Sequence, residues 1–157
     1  MTDSEPKITY KEFDTNDVDQ RARIRELINE AGMHCTGALP TMGSVALIGD
    51  EVIGFMGGHT KYVGTGQIDI FVVAPKHRRE GVGLALGQHM ITELQYRGCV
   101  RFTAVTETDA TSAIALYRSL GIKFKVIYEF ESDVIDILMS IRRRLKEKSN
   151  EENIPVV

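Results

Sequence analysis

Apolar and polar residues alternate at the start of the chain and then adopt helical spacing, which predicts a strand followed by a helix. Residues 8–13 alternate, as a half-buried strand does. The helix that follows has apolar residues at i, i+3, i+4 and i+7, namely Ile24, Leu27, Ile28 and Ala31. Thr15 or Asn16 is its predicted N-cap, and Gly32 is its predicted end.

The middle of the chain contains three short apolar runs that predict strands. Residues 45–48 and 52–56 flank a Gly-Asp-Glu turn, which indicates a hairpin. The third run is residues 70–74, which stops at Pro75 and belongs to a predicted strand at 68–73. The stretches 34–43 and 59–66 are rich in glycine or polar residues and are predicted to be loops.

The second half of the chain alternates between helix and strand patterns. In order, it contains a helix at 82–97, a strand at 100–106, a short helix carrying Ala113, Leu116, Tyr117 and Leu120, and strands at 123–130 and 134–141. Gly98 and Gly121 are predicted to end the two helices, and Thr108 or Asp109 is predicted to cap the second. The order predicts one α+β domain over residues 1–141 and a charged tail over 142–157.

Composition excludes several classes of protein. With 157 residues, of which 43% are hydrophobic and 26% charged, the chain resembles one globular domain. Its net charge of −3 offers no basic surface for nucleic acid, and no apolar run approaches the roughly 20 residues of a membrane span. Cys35 and Cys99 make no disulfide framework, and His34 lacks partners at metal-binding spacing. We therefore predict a cytoplasmic protein without a metal, a nucleic-acid partner or a membrane anchor.

The strand at 68–73 leads into a basic, glycine-rich turn that opens the next helix. The turn has the sequence Arg78-Arg79-Glu80-Gly81-Val82-Gly83. A helix start presents unpaired backbone N–H groups and the positive end of the helix dipole, so this arrangement suits a phosphate-bearing ligand. The P-loop string G-x-x-x-x-G-K-[ST] is absent, and the dinucleotide pattern G-x-G-x-x-G fits badly because Gly87 comes one position late.

The turn matches the pattern [RQ]-x-x-G-x-[GA] after an apolar strand, and it resembles the acetyl-coenzyme A site of the GNAT N-acetyltransferase superfamily. Members of that family carry a short helix of the form N-x-x-A-x-x-x-Y-x-x-x-G-F. Ala113, Tyr117 and Gly121 stand at the matching positions. Ala110 replaces the asparagine and Ile122 replaces the phenylalanine, so the asparagine's polar contact to the cofactor is not expected here.

The resemblance, which covers residues 8–141, implies an α/β three-layer fold with helices flanking the sheet. The implied sheet is mixed, mostly antiparallel and built of about six to seven strands. The implied cofactor is acetyl-coenzyme A, with its pyrophosphate surrounded by backbone N–H groups of the turn and its pantetheine arm paired with the preceding strand. The implied cofactor-binding residues are Phe71, Val72, Val73, Arg78, Arg79, Glu80, Gly81, Val82, Gly83, Ala113 and Tyr117.

The resemblance also suggests which residues carry the chemistry. Acetyl transfer to an amine needs a base for the ammonium, stabilisation of the carbonyl oxygen and an acid for the departing thiolate. Tyr117 is the candidate acid, and a backbone N–H near Val73 is the candidate oxyanion donor. Asp69, four residues before Val73, is the candidate base, and Glu107 on the next strand is its rival. His59 lies in a predicted loop just after Gly57-Gly58, where an ordinary loop residue is the favoured interpretation and a side chain that faces the acceptor is the alternative.

Three functions are compatible with the sequence. The first is an N-acetyltransferase that moves the acetyl group directly from the thioester to a primary amine, because neither cysteine lies in the turn or the Tyr117 helix. The second is a non-catalytic acetyl-coenzyme A sensor or regulatory module, and the third is a generic nucleotide-phosphate binder. The acceptor region, between residues 16–43 and the last strands, has no signature, so small-molecule and protein amines both stay open. A homodimer through the last strands is expected from the family resemblance alone.

Overall fold

Five strands and three α-helices form the part of the chain that the computed structural model describes, which is residues 6–33, 37–62, 64–104, 110–123 and 143. In chain order they are β1 (Ile8–Glu12), α1 (Val18–Glu30), β2 (Met42–Ile48), β3 (Glu51–Tyr62), β4 (Thr65–Val73), α2 (Val82–Tyr96), β5 (Arg101–Ala104) and α3 (Thr111–Ser119). A short 3-10 helix, Pro75–His77, lies between β4 and α2. The chain divides into two compact units, Met1–Phe124 and Lys125–Val157, and all of these elements belong to the first.

The five strands form one sheet in the order β1-β2-β3-β4-β5. Neighbours from β1 to β4 pair antiparallel, whereas β5 pairs parallel with β4, because α2 carries the chain back across the sheet between them. The predicted mixed, mostly antiparallel sheet is therefore confirmed. Residues 124–142, which hold most of the last two predicted strands and the predicted domain boundary, lie outside the described residues.

Helices cover both faces of the sheet. Gly54 of β3 faces α2, because a Cβ there would lie 3.0 Å from the Leu86 side chain. Its neighbour Phe55 points to the other face and packs edge-on against Phe13, with ring centroids 5.2 Å apart. Both α1 and α2 pack on β3, with little contact between the two helices, so they lie on opposite faces. Their predicted apolar faces are buried at Ile24, Leu27, Ile28, Leu86, Met90 and Leu94.

All three helices end in the same way, at the glycines predicted from the sequence. Gly32, Gly98 and Gly121 have φ values of 72°, 81° and 78°, in the left-handed region that glycine adopts without a steric penalty. The next residue then donates its N–H to a carbonyl five residues earlier, as in a Schellman motif. These bonds are Met33 to Ile28 (3.1 Å), Cys99 to Leu94 (3.0 Å) and Ile122 to Tyr117 (2.9 Å).

The predicted helix starts need correction. Asp17, rather than Thr15 or Asn16, caps α1, and its side chain accepts a hydrogen bond from the Gln20 N–H at 2.9 Å. Helix α3 has Ala110 at its N-cap, without a capping side chain, instead of Thr108 or Asp109. Several capping residue types occur close together before each helix, so composition alone does not choose among them.

The predicted loop at 59–66 is wrong. Strand β3 continues to Tyr62 and β4 begins at Thr65, so nearly all of that stretch belongs to a long hairpin. Strand β2 likewise begins at Met42, inside the predicted loop at 34–43. Glycine has low strand propensity, but pairing between strands outweighs propensity where the backbones can approach closely.

Candidate functional site

A β-bulge in β4 places Asp69 on the sheet surface. Two neighbouring residues of β3 pair with two residues of β4 that are not neighbours: Gly57 with Ile70 and Gly58 with Ile68. Asp69 is therefore the extra residue of the bulge. The strands can approach because Gly58 has no side chain. A Cβ there would overlap the carbonyl oxygen of Gln67 and lie 2.9 Å from its carbonyl carbon.

Two neighbouring side chains hold the Asp69 carboxylate. His59 Nδ1 lies 2.6 Å from Asp69 Oδ2, and Gln67 Nε2 donates to Asp69 Oδ1 at 2.9 Å. His59 and Gln67 are cross-strand partners, so the three side chains share one face of the hairpin. The His59 side chain is 46% exposed and that of Asp69 28% exposed, so a molecule in solution can reach both.

The sequence pattern does not predict the contact between His59 and Asp69, because it predicts a loop at residues 59–66. It lies in β3, ten residues before Asp69 across a tight turn at residue 64. The turn pairs Tyr62 with Thr65, and a register shift between Thr60 and Tyr62 then brings residues 59 and 67 opposite each other. The turn glycine is a usable signal for the hairpin, but neither this shift nor the bulge at Asp69 has a local signature.

The turn between β4 and α2 presents a row of backbone N–H groups. Arg79 and Gly81 have φ values of 64° and 80°, and residues in this conformation direct neighbouring N–H groups to one side. The first hydrogen bond of the helix runs from the Ala85 N–H to the Gly81 carbonyl at 3.1 Å. Within the described ranges, none of the N–H groups from Arg79 to Leu84 donates to a protein acceptor. This geometry fits a phosphate group.

The two arginines of the turn differ in their surroundings. Arg78 Nε donates to the Val73 carbonyl at 3.0 Å, which ties the turn to the end of β4. Arg79 adopts a backbone conformation that costs a non-glycine residue roughly 1–2 kcal/mol. Both residues are exposed, so both add positive charge beside the free N–H groups.

The two glycines of the turn, Gly81 and Gly83, are favoured at their positions for different structural reasons. A Cβ on Gly81 would meet nothing within 4 Å, so the left-handed φ value of 80°, and not crowding, is what favours glycine there. A Cβ on Gly83 would lie 2.8 Å from the Phe71 ring and 3.6 Å from Leu116. The interpretation that both glycines make room for a ligand is therefore incomplete, because Gly83 makes room for Phe71. Val82 is 1% exposed, so its side chain belongs to the core.

The end of β4 has one strand neighbour in the described structure. Its pairing with β5 extends only as far as Ile68 and Ala104, whereas its pairing with β3 continues to Val73. Residues 105–109, which include the rival base Glu107, lie outside the described residues. The side chains of Val72 and Val73 are buried and that of Phe71 is half-buried, so these residues offer a ligand mainly their backbone.

Tyr117 is a buried residue whose hydroxyl has no hydrogen-bond partner among the described residues. The residue is 6% exposed, and burial raises the pKa of its hydroxyl, so the group stays protonated at neutral pH. Among the residues described, nothing forms a hydrogen bond with this hydroxyl. A protonated hydroxyl with a free donor is the state that a general acid requires.

Helix α3 packs against α2. Gly87 of α2 leaves space for Leu120, since a Cβ on Gly87 would lie 2.6 Å from the Leu120 side chain. Leu116 lies beside Gly83 at the start of α2, where Phe71 of β4 also packs. Ala113 is half-buried one turn before Tyr117. The candidate acid therefore sits on a helix that packs against the glycine turn.

His89 has a structural partner away from this site. His89 Nδ1 lies 3.0 Å from the buried Ser44 hydroxyl, which gives His89 a structural partner. In the described part of the chain, no group of three or more His, Cys, Asp or Glu side chains is arranged to hold a metal ion. None of the helices described is both long and apolar enough to cross a membrane.

Comparisons with known proteins agree with this architecture. Residues 7–122 match the family model of the acetyltransferase (GNAT) family. The [ribosomal protein bS18]-alanine N-acetyltransferase of Escherichia coli K12 is 43% identical over 49 residues, 31% of this chain and 33% of that protein. N-alpha-acetyltransferase 30 of Homo sapiens is 28% identical over 104 residues, 63% of this chain and 29% of that protein. The matches thus span about a third of each relative's length.

The same fold occurs in solved structures. An aminoglycoside N-acetyltransferase in complex with CoA superposes with a TM-score of 0.66. The alignment covers 85% of this chain and 99% of that one, at 14% sequence identity. A likeness at this identity establishes a common fold, and the chemistry has to be argued from the residues themselves.

Proposed function

Because the chain belongs to the acetyltransferase (GNAT) family, we propose that it transfers an acetyl group from acetyl-coenzyme A directly to a primary amine. The observation that carries this proposal is the row of partner-free backbone N–H groups from Arg79 to Leu84 at the start of α2. Such a row, next to two exposed arginines, is suited to a pyrophosphate.

In this proposal the cofactor extends from the glycine turn along β4. The N–H groups of the turn bind the pyrophosphate, with charge from Arg78 and Arg79. The backbone of Phe71, Val72 and Val73 pairs with the pantetheine arm, as an added strand would. Acetyl-coenzyme A, when bound, supplies a thioester whose carbonyl carbon accepts the amine.

The proposed roles of the site residues follow from their chemical states. An alkylammonium has a pKa of about 10, so the acceptor must lose a proton before it can attack. Asp69 provides the negative charge that favours this loss. Tyr117, held protonated by burial, donates a proton to the departing sulfur. A backbone N–H near Val73 stabilises the charge that develops on the carbonyl oxygen.

Direct transfer is favoured because no suitable nucleophile lies at the described site. Cys99 is 4% exposed and follows the end of α2, whereas the free N–H groups lie at the start of that helix. A covalent acetyl-cysteine would need an accessible thiolate. We place the reaction in the cytoplasm, where thiols stay reduced.

For the acceptor, we propose the α-amino group of a protein N-terminus as the first candidate. Both relatives identified by sequence bear names that describe acetylation of such groups, a ribosomal-protein alanine and an N-alpha-amine. Small-molecule amines are the second candidate, since the chain shares its fold with an aminoglycoside N-acetyltransferase. The predicted homodimer remains a prediction, because the strands that would form it lie outside the described residues.

The first test is ligand-dependent thermal unfolding with acetyl-coenzyme A, coenzyme A, ATP and NAD at equal concentrations. A ligand at 100 times its dissociation constant stabilises the folded state by about 2.7 kcal/mol. For a chain of this length, that raises the melting temperature by about 5–11 °C. We expect this shift only with the two coenzyme A ligands. No shift with either at about millimolar concentration would contradict the proposal, and a preference for ATP or NAD would indicate a generic nucleotide binder.

The second test measures release of the coenzyme A thiol with a panel of amines. The panel contains peptides with free N-termini, matched peptides with blocked N-termini and internal lysines, a polyamine and an aminoglycoside. Turnover with free N-termini alone supports the first acceptor candidate. Binding of acetyl-coenzyme A without turnover of any amine indicates the non-catalytic sensor instead.

A further inference from the structure

The pair formed by His59 and Asp69 has the geometry of a proton-transfer dyad. The 2.6 Å between His59 Nδ1 and Asp69 Oδ2 is short for a hydrogen bond between nitrogen and oxygen. The second carboxylate oxygen is held by Gln67 at 2.9 Å, so the carboxylate is fixed on both sides. Both residues belong to paired strands rather than to a loop, His59 opposite Gln67 and Asp69 at the bulge, which gives the pair a defined orientation.

The hydrogen bond determines which ring nitrogen of His59 carries the proton. An ionised carboxylate can only accept, so Nδ1 must be the donor. In the neutral imidazole, Nε2 is then the unprotonated nitrogen with a free lone pair. Nothing in the described structure forms a hydrogen bond with Nε2, and the side chain is 46% exposed. Asp69 thus prepares His59 as a base whose acceptor atom is accessible.

We infer that His59 Nε2 is the atom that takes the proton from the acceptor ammonium, and that Asp69 is a positioning residue acting through His59. This inference rests on the proposed acetyl transfer and assigns one of its steps. One N–H bond of the ammonium breaks, its electron pair stays on the amine nitrogen, and a new N–H bond forms at Nε2. The resulting imidazolium is paired with the Asp69 carboxylate. Water removes the proton from Nε2 before the next turnover.

The alternative is that Asp69 takes the proton directly. That alternative is less favourable because each oxygen of its carboxylate already faces a donor, His59 on one side and Gln67 on the other. The carboxylate is also the less exposed group, at 28%.

The test is a double-substitution cycle on kcat with His59→Gln, Asp69→Asn and the double variant. General-base catalysis contributes roughly 10²–10⁴-fold, so we expect His59→Gln to lower kcat by about a hundredfold or more. Asp69→Asn should lower it by about tenfold or more in the wild-type background, since the amide no longer stabilises the imidazolium. In the His59→Gln background, Asp69→Asn should change kcat by less than about twofold, because its effect passes through His59.

A chemical rescue separates catalysis from structure. Added imidazole should raise the kcat of His59→Ala about tenfold above its value without imidazole, after subtraction of the enzyme-free reaction. It should leave the kcat of Asp69→Asn unchanged. His89→Gln serves as the control for loss of a histidine that the site does not use. Dissociation constants for coenzyme A and melting temperatures of every variant are measured alongside, so a folding defect is recognised.

Each outcome decides between the alternatives. If His59→Gln keeps wild-type kcat while Asp69→Asn loses the same factor in both backgrounds, Asp69 is the base and the inference is overturned. If neither substitution lowers kcat beyond what the His89→Gln control does, the pair is only a cross-strand contact and the inference is again overturned. If the wild-type protein binds coenzyme A but acetylates no amine, the catalytic proposal fails together with this inference. If the wild-type protein acetylates an amine and His59→Gln is equally active, this inference fails and the proposed acetyl transfer stands.

Discussion

Replacing Gly58 by alanine tests the bulge on which the site depends. The added Cβ would overlap the Gln67 carbonyl oxygen and lie 2.9 Å from its carbon and 3.1 Å from the Ile68 Cα. All three are backbone atoms, so rotation of a side chain cannot relieve the overlap and β3 must separate from β4. Overpacking of this kind costs about 1–3 kcal/mol, and each lost ladder hydrogen bond adds about 0.5–1.5 kcal/mol.

We therefore expect Gly58→Ala to lower the free energy of unfolding by about 3 kcal/mol or more, which corresponds to about 6–12 °C in melting temperature for a chain of this length. Urea and thermal unfolding measure the loss. Gly37→Ala is the matched control, because a Cβ there meets nothing within 4 Å and the φ value is not positive. It should stay within about 0.5 kcal/mol of wild type. Equal stability of the two variants would falsify the close approach of β3 and β4 at Gly58.

Three further predictions concern the acid, the turn and alkaline pH. Tyr117→Phe should lower kcat by roughly 10²–10⁴-fold while the coenzyme A dissociation constant stays within about twofold; an unchanged kcat would show that the hydroxyl is not the acid. Arg79→Gly relieves the left-handed backbone strain of the folded state but raises the conformational entropy of the unfolded chain, so the melting temperature should stay within about 3 °C of wild type. Titration calorimetry should show that the affinity for coenzyme A falls about fivefold. Unchanged affinity would argue against a ligand at the turn. Because burial raises the pKa of Tyr117 in the folded state, the unfolded chain loses this proton first and stability should fall above about pH 10. The pKa of Tyr10 is also raised, so some loss of stability at alkaline pH remains in Tyr117→Phe. The urea midpoint of this variant should fall less steeply with rising pH than that of wild type, and identical slopes would contradict the raised pKa of Tyr117.

Local features of the sequence predicted the helix ends and the glycine turn. The N–H groups that close α1, α2 and α3 bond to carbonyls no more than five residues away, so a glycine after an amphipathic stretch is enough to locate the end. The turn at Arg78–Gly83 was also predicted from local patterns, because the strand before it and the helix after it are each defined by residues close in the chain. Strand ends were predicted less well, because β3 and β4 extend through glycine-rich segments that only strand pairing stabilises.

The amino-acid sequence alone determined the family, the order of the elements through α3 and the position of the glycine turn before α2, because these depend on interactions between residues close in the chain. Tertiary structure decided that His59 and Asp69 form a pair, because a bulge between two paired strands sets their distance. It also decided that Gly83 accommodates Phe71, a residue 12 positions away in the chain. The contact between His59 and Asp69 depends on the register of β3 against β4, and a shift of one residue would place every side chain of the strand on the opposite face. The contact between Gly83 and Phe71 depends on how α2 packs on the sheet.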